Sequence, residues 1–187
     1  MRSIAPAQAV RHGLVLVPGN RQPGSAVFEF DLQENLGMTS LRAHRRFGLM
    51  NRRAEGRLTN EWIDRLDIRP PDPRKPFNQL SGGNQQKVIL AKWLAVQPAV
   101  VLLDEPTAGV DVGARRAIYE IVRRGAAAGI SFLVCSSDNQ DLAGMADRAV
   151  LLADGVAVGE LAGPDITEHA LATRLATASA HAGARER

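Results

Sequence analysis

The chain holds a single cysteine, Cys135, in 187 residues. A lone thiol excludes an internal disulfide and a cysteine zinc site and gives no sign of an oxidising compartment, so the sequence reads as intracellular. Long apolar runs are missing too: none reaches ten residues, which leaves nothing of bilayer-spanning length, and Leu14–Val17 is too short for the apolar region of a secretory signal. Glycine and proline, at 17 and 10, fall far short of a low-complexity or collagen-like chain. Lysine is scarce, with Lys75, Lys87 and Lys92 standing among 23 basic residues. What is present is 45% apolar and 23% charged composition, over a length that suits one domain with a true core.

The net charge of +3 hides an asymmetry. Up to Trp93 there are 15 basic and 8 acidic residues; beyond it, 8 and 12. Most of the excess is the cluster Arg42, Arg45, Arg46, Arg52, Arg53 and Arg57. Such a cluster suits a nucleic-acid or anionic-lipid surface, a solvated helical face or a protein-docking surface. Aromatic residues make up 4% of the chain and only Phe47 sits among these arginines, which weighs against base stacking. His12, His44, His169 and His181 stand singly, without metal-ligand spacing, and are expected on the surface or on helix faces.

Gly13–Pro18 is a Val- and Leu-rich run closed by Pro-Gly, a buried strand entering a loop. Helical spacing begins at Asp31–Leu36, and Leu58, Trp62, Ile63 and Leu66 mark an amphipathic helix that Pro70, Pro71 and Pro73 terminate. A helix over 84–96 starts near Ser81 and stops at Pro98. Ala99–Leu103 and Ile130–Cys135 read as strands buried on both faces, separated by a helix over 113–128 that ends at Gly129. Ala149–Ala153 and Val156–Leu161 flank Asp154-Gly155, a hairpin signature. This alternation argues an α/β fold with a mostly parallel sheet, followed by an Ala-rich helical tail over 167–187.

Two motifs carry chemistry. In LSGGNQQKV, residues 80–88, two glycines allow backbone amides to approach a ligand, and a serine at a helix amino end suits a terminal phosphate. Ser-Gly-Gly alone reads better as a helix cap. The flanking Leu80 and Asn84-Gln85-Gln86, with a second motif at a fixed distance, favour the phosphate site. That second motif, VVLLDEP at 100–106, presents Asp104 to a hydrated magnesium ion and Glu105 to an attacking water. Asp-Glu by itself would be an ordinary acidic strand end; TAGVD at 107–111 strengthens the functional alternative.

With these motifs the sequence resembles the ATP-binding cassette (ABC) ATPases: a signature at 80–88, a Walker B segment at 100–106 and a D-loop around Ala108–Asp111. LSGGNQQKVILAKWLA followed by DEPTAGVDVGARRAIYEI is similar to the second nucleotide-binding domain of the tandem ATPases that energise monosaccharide importers of the ribose, galactose and xylose type. The resemblance runs from about residue 5 to 161 and includes PAQAVRHGLVLVPGNR, LQENL and SSDNQDLAGMADRAVLLADG. It implies a P-loop NTPase-like ABC cassette with a helical subdomain, truncated at the amino end. The expected divisions are 1–30 (Q-loop strand and loop), 31–95 (helical signature subdomain), 96–165 (core with Walker B, D-loop and switch) and 166–187 (tail). The implied cofactors are ATP and Mg2+. Ser81, Gly82, Gly83 and Gln85 would contact nucleotide on an opposing domain. Asp104 would assist magnesium, Glu105 would polarise water, Asp111 would link the two sites, and Ser137 would occupy the switch position. Implied partners are a second nucleotide-binding domain, transmembrane permease subunits and, indirectly, a periplasmic or extracellular sugar-binding protein. No nucleic acid is expected, and the location implied is cytoplasmic, peripheral on the inner face of the cell membrane.

The sequence departs from that family at three places. No Gly-Lys pair occurs, because the three lysines follow Arg74, Gln86 and Ala91, so the Walker A phosphate loop is absent from these residues. Serine stands at 137 where most cassettes have the switch histidine, as in the sugar-importer subgroup. The Q-loop position is Gly19 beside Asn20, with Arg21 retained; substitution by Gln22 after a loop shift is disfavoured. Catalysis by the chain alone is therefore not expected. The expected sheet pairs 13–17 with 99–103 and 99–103 with 130–135. A non-catalytic docking module acting through 31–95 is the alternative. A DNA-repair or chromosome-structure ATPase head is disfavoured by Asn-Gln-Gln-Lys and by the lack of coiled-coil heptads.

Overall fold

The computed structural model describes residues 5–19, 24–40, 45–46, 49–50 and 52–183, with backbone alone at 40, 45–46, 49–50 and 178–183. Asn20, Arg21 and Gln22 of the Q-loop stretch, Arg42 and Phe47 of the basic cluster, and His44 lie outside the described residues. The chain divides into two compact units, Met1–Cys135 and Ser136–Arg187.

In the first unit α1 (Pro6–Arg11) leads into β1 (Leu14–Val17). A helical stretch follows: α2 (Leu32–Ser40), the antiparallel pair β2 (Arg45–Arg46) and β3 (Leu49–Met50), α3 (Arg52–Leu66) and α4 (Gly82–Leu94). β4 (Val100–Asp104), α5 (Val112–Ala127) and β5 (Ser131–Cys135) complete it. α3 buries Trp62, Ile63 and Leu66 on one stripe, as their spacing predicts. α4 is buried nearly all round, through the apolar Val88, Ile89, Leu90, Ala91 and Leu94 and also through the polar Gln85, Gln86, Lys87 and Lys92. Its carbonyl at Lys92 accepts the Thr39 hydroxyl at 2.7 Å, and the Lys92 ammonium donates to the Ser25 carbonyl, so α4 is tied to α2 and to the segment after β1. This network fixes the helix that begins at the signature motif.

The three strands form one parallel sheet in the expected order β1-β4-β5. Register places Val15, Val101 and Phe132 on one face and Leu16, Leu102 and Leu133 on the other. The first face is closed: Val101 is fully buried, and the Phe132 ring lies where a Cβ on Gly125 of α5 would come within 2.7 Å. The second face is not, since Leu16 is 51% and Leu133 65% exposed. Burial of Ala99–Leu103 and Ile130–Cys135 on both faces is thus overturned. The reason is topological. Both crossovers, β1 to β4 and β4 to β5, step in the same direction across the sheet, and right-handed connections then bring α4 and α5 to the same face.

The second unit holds α6 (Asn139–Met145), the hairpin of β6 (Arg148–Ala153) and β7 (Val156–Ala162), and α7 (Glu168–Gly183). Asp154 and Gly155 turn the hairpin with φ of 50° and 77°, the paired positive values a tight two-residue turn requires. Ala149, Leu151, Leu161, Ile166 and Leu171 form its core. Arg148 and Glu160 pair across the strands; that contact lowers the Glu160 carboxyl and raises the guanidinium. Among the described residues no helix is long and apolar enough to cross a membrane.

Candidate functional site

Ser81 is the N-cap of α4, in extended backbone conformation, but its side chain makes no capping bond to the helix amides. The hydroxyl oxygen instead accepts from the Asn84 side-chain amide at 2.9 Å. The Asn84 carbonyl oxygen in turn accepts the Arg69 backbone N–H at 2.8 Å. Ser81 is exposed, Gly82 half-buried and Gly83 buried, so the turn is reachable from outside. Gln85 points the other way: buried, its amide donates to the Phe77 carbonyl at 3.1 Å. A helix amino end with a hydroxyl not engaged by its own amides suits an anion.

Asp111 caps the next helix. It accepts the Ala114 N–H at 2.9 Å and starts α5 beside the start of α4. Gly83 is the joint: a Cβ there would fall far inside contact distance of the Ala114 methyl. Ser81, Gly83, Asn84 and Asp111 share a shallow depression of about 300 Å³ with Arg69 and Lys87. Lys87 donates to the Asp67 carbonyl at 2.8 Å. Burial holds its pKa below the ordinary value, Asp67 and Asp111 push back upward, and Arg69 adds to the lowering.

The acid pair sits elsewhere, at the carboxyl end of β4. Asp104 is exposed and Glu105 half-buried. Glu105 has φ of 41°, a left-handed conformation that costs a branched or long side chain energy and is kept only where its surroundings enforce it. Its N–H donates to the Cys135 carbonyl at 2.8 Å and its carbonyl accepts from Ala108 at 3.1 Å. Gly19, the Q-loop position, closes against this end of the strand: a Cβ there would lie 2.8 Å from the Asp104 carbonyl oxygen and 2.9 Å from the Glu105 Cβ.

The expected residues therefore fall into two groups in the first unit, one around paired helix ends and one at a strand end. Ser137 is exposed in the second unit, and its neighbour Ser136 donates to Asp141 at 3.0 Å. Sequence reasoning missed Arg69 altogether, and it held Asn84 and Lys87 within the 80–88 motif without giving either a place in the site. The i, i+3 spacing of Ser81 and Asn84 at a helix start is the pattern of a capping pair and is the signal that could have found Asn84. Arg69 enters through a backbone N–H fifteen residues away, which no local pattern carries.

A family model described as "ABC transporter" matches residues 7–108. The ribose import ATP-binding protein RbsA of Yersinia pestis is 39% identical over 169 residues, 90% of this chain and 33% of that protein. Ribose import ATP-binding protein RbsA 1 of Streptomyces coelicolor is 38% identical over 180 residues, 96% of this chain and 35% of that protein. The chain thus spans about a third of the length of these curated relatives. Among solved structures, the ADP conformation of an ATP-binding cassette of an ABC transporter matches with a TM-score of 0.73 at 20% identity, over 93% of this chain and 70% of that one. A dimeric cassette in a post-hydrolysis state bound to ADP and Pi matches with a TM-score of 0.67 at 23% identity, over 82% of this chain and 64% of that one. The α/β architecture, with its parallel sheet and flanking helices, is that of the ABC cassette, and with more than half of its residues inside the family match the chain belongs to the ABC transporter family.

Proposed function

We propose that this chain is the signature- and Walker B-bearing part of the ATP-binding component of an ABC-type carbohydrate importer. It works on a composite nucleotide site with a second nucleotide-binding domain, beneath transmembrane permease subunits served by a sugar-binding protein. The location is cytoplasmic, at the inner face of the membrane. Sugar import is the activity named for the ribose import relatives. The observation that carries the reading is the exposed Ser81 turn, whose hydroxyl is not engaged by the amides of its own helix and which shares a depression with Asp111 at the start of a second helix.

The residues fit ATP and Mg2+ unevenly. Ser81, Gly82 and Gly83 suit the γ-phosphate oxygens of a nucleotide held by the opposing domain, because helix amides and a hydroxyl donate to them while Gly83 keeps the two helix ends together. Gln85 supports the turn from within through Phe77. Asp104 is one exposed carboxylate, and no group of three or more metal-ligating side chains exists among the described residues, so magnesium would be held here only alongside nucleotide phosphates. Bound magnesium neutralises phosphate charge. Glu105 orients and accepts a proton from water, and Asp111 carries contact between the two domains. Ser137 in the switch position offers a hydroxyl in place of an imidazole. These residues hold no Gly-Lys pair to cradle phosphates, so those contacts would come from outside them.

Mixing the full chain with an intact cassette that carries a Gly-Lys-Ser/Thr loop, in Mg·ATP, tests this. Expected is hydrolysis above that of the cassette alone, lost with Ser81→Ala, and none from the chain by itself. Hydrolysis by the isolated chain, abolished by Glu105→Gln, would overturn the composite-site reading. Binding without any stimulation would leave the docking-module alternative.

A further inference from the structure

We propose that Asn84 is the positioning residue that sets the direction of the Ser81 hydroxyl proton; this rests on the reading that Ser81 faces a phosphate oxygen. The argument is one of hydrogen-bond polarity. The Arg69 backbone N–H can only donate, so the group facing it at 2.8 Å must be the Asn84 carbonyl oxygen. That contact fixes the amide the right way round and aims its NH2 at Ser81 Oγ, 2.9 Å away. The NH2 can only donate, so Ser81 Oγ accepts, and its single proton must point elsewhere. Ser81 is exposed, so a proton turned away from the Asn84 amide is free to face solvent at the helix start, where an anion would meet it. The chain of orientation runs from a backbone donor after α3, through a side-chain amide one turn into α4, to a hydroxyl on the surface. Asn84 touches no ligand in this account; it acts through Ser81.

Aspartate at 84 separates this role from simple support. Asn84→Asp keeps the size and the acceptor for Arg69 but turns the atom facing Ser81 into an acceptor, so the hydroxyl rotates inward to donate to it. Asn84→Ala merely releases the hydroxyl. A supporting role predicts that alanine does more harm; a positioning role predicts that aspartate does. The measurement is Mg·ATP-driven association of the full chain with an intact cassette carrying a Gly-Lys-Ser/Thr loop. Association is expected to fall about tenfold with Asn84→Asp, the scale of one charge-assisted hydrogen bond, and roughly threefold with Asn84→Ala. Because aspartate also adds charge, the pair is repeated with Ser81→Ala. If the effect runs through Ser81, the aspartate penalty shrinks in that background; an unchanged penalty means direct repulsion and overturns the proposal. The clamp is read separately by NMR of the isolated chain. Ser81→Ala is expected to shift the Asn84 side-chain amide resonances, and resonances that stay put would also overturn it. Failure of the wild-type chain to associate, with the NMR shift present, removes the proposed function and leaves the Asn84–Ser81 clamp standing.

Discussion

The two groups of candidate residues rest on different supports. Ser81, Gly83, Asn84 and Asp111 stand at the starts of helices of 13 and 16 residues that brace each other at Gly83 and Ala114. Asp104 and Glu105 end a strand in a three-stranded sheet with one face that leaves Leu16 and Leu133 exposed, and Glu105 is held with φ of 41°. The helix ends are shaped by local capping and by one tight helix contact. The strand end keeps a strained backbone with packing on one side only. The first group should therefore be sensitive to bulk at its joint, and the second should be able to gain stability when its strain is relieved.

Between the two groups, bulk at the joint carries the larger expected effect. Gly83→Ala adds a methyl group that must push α4 and α5 apart at their starts, and overpacking of this kind costs about 1–3 kcal/mol even though alanine is the better helix former. Urea unfolding should show the loss. An unchanged midpoint would mean that the helix starts slide freely, and the contrast between the two groups would disappear.

Relief at the strand end runs in the opposite direction. Glu105→Gly removes a left-handed conformation costing about 1–3 kcal/mol and adds roughly 0.5–1 kcal/mol of chain entropy, so a net gain of about 1 kcal/mol is expected. The melting temperature should rise. A lower melting temperature would show that the Glu105 side chain itself contributes to stability, and the strand end would then be as well braced as the helix ends.

How much of this was legible differs between the groups for the same reason. The strand ending at Asp104, the helix start at Ser81 and the hairpin at Asp154-Gly155 follow from apolar runs and turn chemistry, which are local, whereas the order of the sheet came from the family resemblance. α1 and α6, with six and seven residues, are too short to show a period. The bare face of the sheet was not legible: Ala99–Leu103 is as apolar as a strand covered on both sides, and composition along one strand does not say which neighbours arrive. Equally, nothing near Ser81 in the chain announces Arg69, and nothing near Asp104 announces that Gly19 packs on it.

That bare face gives a smaller prediction. Leu133 is 65% exposed whereas Leu103, one strand away, is 1% exposed. Leu133→Thr keeps strand propensity and should change stability by no more than about 0.5 kcal/mol, against about 2–5 kcal/mol for Leu103→Ala. A large loss at Leu133 would mean that this face is covered in solution.

The smallest effect is read by pH and tests whether Lys87 is as buried as its contacts say. Burial lowers the Lys87 pKa, with Asp67 and Asp111 opposing and Arg69 assisting, so the folded value lies below that of the unfolded chain. Below the folded value the lysine is charged in both states and the cost of enclosing it is fully present. As pH rises from the folded value toward 10.5, the unfolded chain still holds a proton that the fold has released, so stability from this group rises with pH. Urea midpoints of the wild type should therefore gain on those of Lys87→Met as pH climbs through that window. Asp111→Asn preserves the cap on α5 but removes a carboxylate that holds the lysine's proton, so the gain should begin at lower pH. A constant difference between wild type and Lys87→Met would place the Lys87 ammonium in water, away from the Asp67 carbonyl.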